Sequence, residues 1–402
     1  MNKDEKAILL VTCYGHFVSH FNMLVFPAVL IPLADQFGMS IAETLSLSFW
    51  MYLLFGFSAL PWGLAGDRFG TKALLMLYHT GAGLCGLLAF FSLANPLLFS
   101  LALSGLGLFS GIYHPVGLGW IARDIRNTSI GMAYNGMFGN LGLAAAPLLA
   151  GLVNLFFGVA AVYFVVAMVN LSGIFFLLGT ARQRRKETSP HNSTTVSARV
   201  PSHFFILLGA TMLGGIVYRG TSVTLPAYFQ LSNGELFQDL TLLFGGIGTE
   251  NAVATVTTSM IYLLGMAGQY SGGKVGEHFD LRRGYLFFHC ITIPAAIAMA
   301  LTTNIPLIIF AVIHSFFLLG MQPIENTLVS RLAPPWLMSS AYGLKFVLTF
   351  GVGALGVKII EIIEKNYGFP AVYLSLASVS SLVVACIILL IVRTRSREMT
   401  EL

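Results

Sequence analysis

The chain has 402 residues, of which 56% are hydrophobic and only 10% charged, and its mean hydropathy is +0.80. A soluble globular chain carries about a quarter charged residues, so this composition excludes a soluble protein and points to many passes through a bilayer. The net charge of +5 sits in short stretches between apolar runs rather than along one face, which excludes a nucleic-acid surface.

Twelve apolar stretches of roughly 20 residues or more follow one another, the length a helix needs to cross hydrocarbon. Their approximate limits are 8–33, 42–66, 73–94, 96–122, 129–154, 158–179, 203–230, 250–272, 284–302, 305–329, 338–363 and 369–392. The opening MNKDEK is followed by a run too long for a signal peptide and without a convincing cleavage site, so the first span is expected to be retained. A polar, basic linker at 181–202 separates an N-terminal six-helix bundle (1–180) from a C-terminal one (203–402). The basic residues are strongly asymmetric: 18 of the 22 fall in the segments that share a side with the N-terminus. Under the positive-inside rule both termini and the linker are cytoplasmic, in a cytoplasmic (inner) membrane. Asp35, Glu43, Glu235, Asp239 and Glu250 mark the outer loops. The four cysteines lie inside apolar runs, without metal-ligand or disulfide spacing, and read as packing residues.

Ionisable groups within a span are costly and are functional candidates by default. In the first span His16 and His20 are four residues apart and share one helical face. His20 lies roughly 18 Å into that span, near the midplane. Two readings stand for each histidine: it lines a polar cavity, or it satisfies a backbone carbonyl or hydroxyl at a helix contact. Between the second and third spans runs GLAGDRFGTK, Gly63 to Lys72, which puts Asp67, Arg68 and Lys72 into a very short loop at the membrane surface. In the fourth span Pro115 follows His114; proline frees the carbonyl four residues back and permits a bend. In the fifth, Tyr134 and Asn135 offer polar contacts, and GLAAAPLLAG (Gly142–Gly151) gives a small-residue face with a proline.

The second half repeats the first. GKVGEHFDLRR, Gly273 to Arg283, is a weaker copy of the charged loop, with Gly276, Glu277, Phe279 and Arg282 standing where Gly66, Asp67, Phe69 and Lys72 stand. At an offset of 208, Pro115 falls on Pro323, Arg123 on Arg331 and Tyr134 on Tyr342. At an offset of 199, Phe26-Pro27-Ala28 falls on Leu225-Pro226-Ala227, and His20 on Arg219. Arg219, Glu325 and Lys345 are the three clear charges within spans. Glu325 and Lys345 lie at matching depths, roughly 10 Å from the cytoplasmic surface by helical rise, and are expected to be close. They form either a proton-coupling element or a permanent ion pair.

The spacing G-x-x-x-D-R-x-G-x-[RK], carried by Gly63, Asp67, Arg68, Gly70 and Lys72 and echoed by Glu277 and Arg282, resembles the loop signature of the major facilitator superfamily. The resemblance covers essentially the whole chain. It implies an all-α membrane fold of twelve transmembrane helices in two pseudo-symmetric six-helix bundles, working by alternating access around a midplane site. It places Asp67 near the start of the eleventh span, at Ser339 and Ser340. Tyr113-His114-Pro115 resembles the fosmidomycin-resistance branch. Gly142, Pro147 and Gly151 match the antiporter signature of drug exporters, with Ala146 and Ala150 in place of glycines.

The sequence shows no phosphate-binding glycine loop, no Ser-His-Asp arrangement and no metal-ligand spacing. No catalytic residue, cofactor or metal is therefore expected, and the protein is read as not an enzyme. The expected partners are the lipid bilayer, protons and a small-molecule substrate, with no nucleic acid, and the protein is expected to be a monomer. The leading reading is proton-coupled efflux of a small organic compound along His16, His20, His114, Asn135, Arg219, Glu325 and Lys345. Import of an organic anion, suggested by His20 and Arg219, and a non-transporting membrane sensor are the alternatives. The orientation is tested at Ser193: a cysteine there should resist an impermeant thiol reagent in intact cells, and labelling would reverse the topology.

Overall fold

The computed structural model describes residues 1–179, 201–243, 248–333 and 343–394, and all regular structure among them is helical. The first half holds α1 (Lys3–Ala28), α2 (Leu30–Phe37), α3 (Ile41–Ser46), α4 (Phe49–Phe57), α5 (Ala59–Phe69), α6 (Thr71–Phe91), α7 (Pro96–Ser110), α8 (Tyr113–Asp124) and α9 (Thr128–Leu178). The second holds α10 (Ser202–Ser232), α11 (Gly234–Leu243), α12 (Glu250–His278), α13 (Leu281–Leu301), α14 (Asn304–Leu332) and α15 (Leu355–Arg393). Between α14 and α15 a π-helical turn, Val347–Gly351, passes into a short 3-10 turn, Val352–Ala354.

Among the described residues, eight helical stretches are individually long and apolar enough to cross a membrane. Two of them are double. The helix α9 reverses at Gly158 (φ 79°), and α15 at Gly368 (φ 74°), left-handed backbone that only glycine adopts without strain. Counting both limbs of each, and adding the broken α3–α4–α5 span and the more polar α12, gives twelve crossings in two sets of six.

Several spans differ from the apolar limits. The first helix begins at Lys3, not at residue 8, because Asn2 and Glu5 form a reciprocal capping box that holds polar residues in helix. It ends at Ala28, and the chain kinks at Val29, just after Pro27, into α2. The fourth span breaks between Ser110 and Tyr113, four residues before Pro115, where the proline leaves the Gly111 carbonyl without its helical donor. Pro323 occupies the equivalent place, yet α14 runs unbroken. Leu319, not glycine, stands four residues before it. The proposed 181–202 linker falls almost wholly outside the described residues, as do Ser339, Ser340 and Tyr342.

Close glycine contacts set the helix spacing. On α12, Gly268 and Gly272 lie against the Phe316 and Gly320 carbonyls of α14; a Cβ on Gly272 would stand 1.7 Å from the Gly320 oxygen. Gly63 and Gly66 seat α5 on Pro115 and Val116 of α8. Within the antiporter-like stretch, Gly142 lies against the Phe17 carbonyl of α1, in its own half, while Gly151 meets Thr255 of the other half. The halves also touch where Gly56 of α4 meets Gly351 of the π-turn, a Cβ there coming within 2.1 Å of the Gly351 nitrogen.

We call the face that carries the Gly63–Lys72 and Gly273–Arg283 loops the basic face. At the opposite, acidic face, Asn251 donates to the Ala28 carbonyl (2.8 Å) and to Gln230 (3.1 Å), and Asn154 donates to Asn251 (3.1 Å). Lys365 stands 4.0 Å from Glu43 there. Nearer the midplane Asn140 bonds Gln269.

These two classes of glycine contact respond differently to a methyl group. Gly272→Ala overpacks one bundle, costs about 1–3 kcal/mol, and should lower the melting temperature in detergent; an unchanged melt would contradict the packing. Gly56→Ala strikes between the bundles. It should leave the melt nearly intact and lengthen the distance between spin labels at Glu43 and Lys365.

Candidate functional site

Two of the polar clusters in the apolar interior hold the ionisable candidates, one in each half. The first is built by α1 and α8. His16 is fixed by a 2.8 Å bond from its Nδ1 to the Asn135 carbonyl. A carbonyl only accepts, so Nδ1 carries the hydrogen and the neutral ring turns its Nε2 lone pair inward. His20 Nε2 lies 3.1 Å from that nitrogen. His114, at the break in the fourth span, brings its ring to 5.2 Å from His16 and 5.3 Å from His20. His114 is 7% exposed, and neither of its nitrogens has a hydrogen-bond partner among the described residues. Tyr113 stacks on His16 at 5.0 Å, donates to the Thr12 carbonyl (2.7 Å) and accepts from the Asn135 amide (2.6 Å). Asn135 is thereby locked within the first half, whereas Tyr134 is half exposed and outside the cluster.

The second cluster is built by α13, α14 and the turn after residue 343. Lys345 Nζ lies 2.7 Å from Glu325 Oε1, both side chains being under 10% exposed. Tyr285 of α13 donates to the other carboxylate oxygen at 2.9 Å, and Lys345 also donates to Asn326. The pair thus has the extra hydrogen bonds that a buried ion pair needs to offset desolvation. Nearby, His314 joins Thr221 (3.1 Å) to the Thr292 carbonyl (3.2 Å), and Tyr285 packs edge-on against His289 at 5.0 Å.

Arg219 lies between the clusters. It is 2% exposed, and its guanidinium sits 3.9 Å above the Tyr52 ring of the other half. Its Nε has no hydrogen-bond partner, and no carboxylate pairs with it among the described residues. A cation–π contact of this kind contributes about 2 kcal/mol when desolvated, less than the several kcal/mol that burying a charge costs. Phe350 links this region to the histidines, its ring lying 6.0 Å from His114 and 6.4 Å from Tyr218. Beside Tyr218 a cavity of about 10 Å³ is lined by Thr221, Ser222, Tyr262 and Ser315, with the Tyr262 and Ser315 hydroxyls unpartnered. It has room for one water. A larger cavity of about 430 Å³ lies towards the basic face, lined by Gly272, Gly276, Glu277, Pro323, Thr327 and Arg331.

The structure brings together His16, His20 and His114, and separately Glu325 and Lys345. Tyr113, which the sequence marks only as part of Tyr113-His114-Pro115, joins them, as do Tyr285, Tyr52 and Asn326, neutral residues without a sequence signal of their own. The loop residues stay at the basic face. Gly70 (φ 89°) turns the chain between α5 and α6, and Arg68 rests on the Phe69 ring at 5.4 Å. The Asp67 side chain lies outside the described ones, and Lys72 has a further interaction. In the copy, Glu277 pairs with Lys274 at an exposed 2.7 Å, worth at most about 1 kcal/mol. Arg282 does more: it bonds Thr394 of the last span (2.8 Å) and Asp280 (3.1 Å), and its guanidinium holds the Asp280 carboxyl below the usual carboxylate range.

Comparisons with known proteins agree with this architecture. A model of the Major Facilitator Superfamily matches residues 12–249. No curated protein matches significantly in sequence. A crystal structure of a POT family transporter in complex with 5-aminolevulinic acid superposes with a TM-score of 0.75 at 16% identity, covering 97% of this chain and 96% of that one. A D-xylose-proton symporter gives 0.74 at 14% identity, over 96% and 97%. The inward-open xylose transporter XylE from E. coli gives 0.74 at 12%, over 95% of each.

Removing one member of the buried pair tests its energetics. Lys345→Met leaves the Glu325 carboxyl without its cation and should destabilise by about 3–5 kcal/mol. Adding Glu325→Gln should recover most of the lost melting temperature. Independent, additive losses would show that the pair is not coupled.

Proposed function

The chain belongs to the major facilitator superfamily, and on that footing we propose that this multi-pass membrane protein is a proton-coupled secondary transporter of a small organic anion. The observation that carries the reading is Arg219, a buried cation at the meeting of the halves with no carboxylate partner among the described residues. The cavity there holds no more than a water in this conformation; an anion admitted when the halves part would supply the missing counter-charge, with the neighbouring Tyr262 and Ser315 hydroxyls as donors. Glu325 is the proposed proton carrier. In the ionised state it holds Lys345; protonated, it releases Lys345 and loosens α14 from the π-turn. The basic face is taken as cytoplasmic, the membrane as the inner membrane, and the protein as a monomer. Proton–anion symport down an inward proton gradient is uptake, and the structural similarity to a D-xylose-proton symporter favours that direction.

Efflux is the second reading. It is favoured by the small-residue face of α9, where Gly151 meets Thr255 and the Ala144 carbonyl accepts from Ser259 (2.6 Å) of the other half. In that reading the same proton site drives exchange.

The anion proposal is tested by thermal stabilisation of the purified protein across small carboxylic acids and their neutral amides. Acids should raise the melting temperature where the matched amides do not, and Arg219→Gln should abolish the difference. Equal stabilisation by acid and amide, or an undiminished acid effect in a folded Arg219→Gln protein, would overturn the anion reading.

A further inference from the structure

We propose that His16, His20 and His114 form a binding site for one divalent transition-metal ion of the zinc and cobalt class. The site would have three imidazole ligands and a fourth position open to a small ligand. The three side chains offer nitrogens that all lie within 4.8 Å of one another. No sequence spacing announces this group, because the fourth span delivers His114 from about a hundred residues away.

Three observations carry the proposal. The His16 Nδ1–H is committed to a backbone carbonyl at 2.8 Å, the arrangement by which metal-ligating imidazoles are held in one tautomer and aimed. Its Nε2 and that of His20 stand 3.1 Å apart. Tetrahedral bonds of 2.0–2.1 Å place neighbouring nitrogens about 3.3 Å apart, so two ligands already sit near the edge of the polyhedron. His114 has both nitrogens buried and unpartnered. Bringing the nitrogens from within 4.8 Å to the tetrahedral spacing needs a shift of about 1.5 Å, and moving the His114 ring breaks no hydrogen bond among the described residues.

The donor set selects the ion. Three neutral imidazoles suit zinc, cobalt, nickel and copper and offer nothing to magnesium or calcium, which take oxygen ligands. In the metal-free state His20 Nε2–H donates to His16. To ligate, His20 moves that hydrogen to its own Nδ1, with no net loss of protons. The walls are apolar and aromatic: Tyr113 stacks on His16, Phe346 and Phe350 stack on His114, and Phe55 meets its edge. Arg219, beyond Phe350, disfavours a bare dication and favours an anion in the fourth position. The site stands whichever solute the protein carries.

The test uses the full-length protein in detergent with any affinity tag removed, titrated with Co²⁺ and followed by visible absorption. The expected result is one Co²⁺ per chain with the intense bands of a four-coordinate ion, displaced by Zn²⁺. Loss of an outer-sphere partner alone lowers metal affinity by about 10–100-fold, so His114→Gln and His16→Gln, each losing a ligand, should lower it by more than about 100-fold. His289→Gln should leave it unchanged. X-ray absorption at the zinc edge of the wild-type protein needs no variant and should count three imidazoles. Absence of stoichiometric binding, wild-type affinity in a folded His114→Gln protein, or a zinc spectrum with fewer than three imidazoles would overturn the site. The three histidines would then be a proton-sharing aromatic cluster.

Discussion

A carboxylate and an ammonium held 2.7 Å apart, away from water, constrain the whole C-terminal bundle. Neither charge is tolerable alone at that depth, so α14 and the turn after residue 343 must stay in register. Tyr285 and Asn326 are placed to satisfy what the pair leaves over. Lys345 lies two residues before the π-turn, and that turn meets the other half at Gly56. Glu325 is thereby connected to the seam between the halves through two turns of one helix.

The first half solves the same problem without formal charge. Its histidines face one another and are surrounded by aromatic rings, and the Asn135 carbonyl fixes the tautomer of His16. Phe350 spans the seam, touching His114 on one side and Tyr218 on the other. Arg219 crosses it in the opposite sense, from α10 onto Tyr52 of α4. Rocking of one bundle against the other must break or slide both contacts. The paired glycines Gly56 and Gly351 let the backbones come close enough to make them.

Much of this was legible in the sequence, for identifiable reasons. Charges within apolar runs are so rare that Arg219, Glu325 and Lys345 stood out, and helical rise alone put the last two at one depth. The four-residue spacing of His16 and His20 set them on one face. Pro115 announced the break that positions His114, whereas Pro323, at the equivalent place in the other half, sits inside an unbroken helix, a difference the sequence does not show. The aromatic hydroxyls of Tyr113, Tyr285 and Tyr52 were illegible, since a tyrosine in an apolar run reads as packing until its partner is seen. The convergence of His114 on the first-span pair was equally hidden: it depends on how α8 crosses α1, which no periodicity encodes. The small-residue face of α9 crosses the seam both at Gly151, against Thr255, and at the Ala144 carbonyl, which accepts from Ser259, while Gly142 serves its own half, a division the residue pattern does not show.

On the proposed mechanism, protons act through Glu325. The most direct measurement is flux in proteoliposomes, using whichever acid stabilises the purified protein. The wild type should accumulate the acid under an imposed pH gradient and also exchange it across the membrane with no gradient. The Glu325→Gln protein should exchange at a comparable rate and accumulate nothing. Gradient-driven accumulation by that variant would contradict the account and move the proton site to the histidines of the first half.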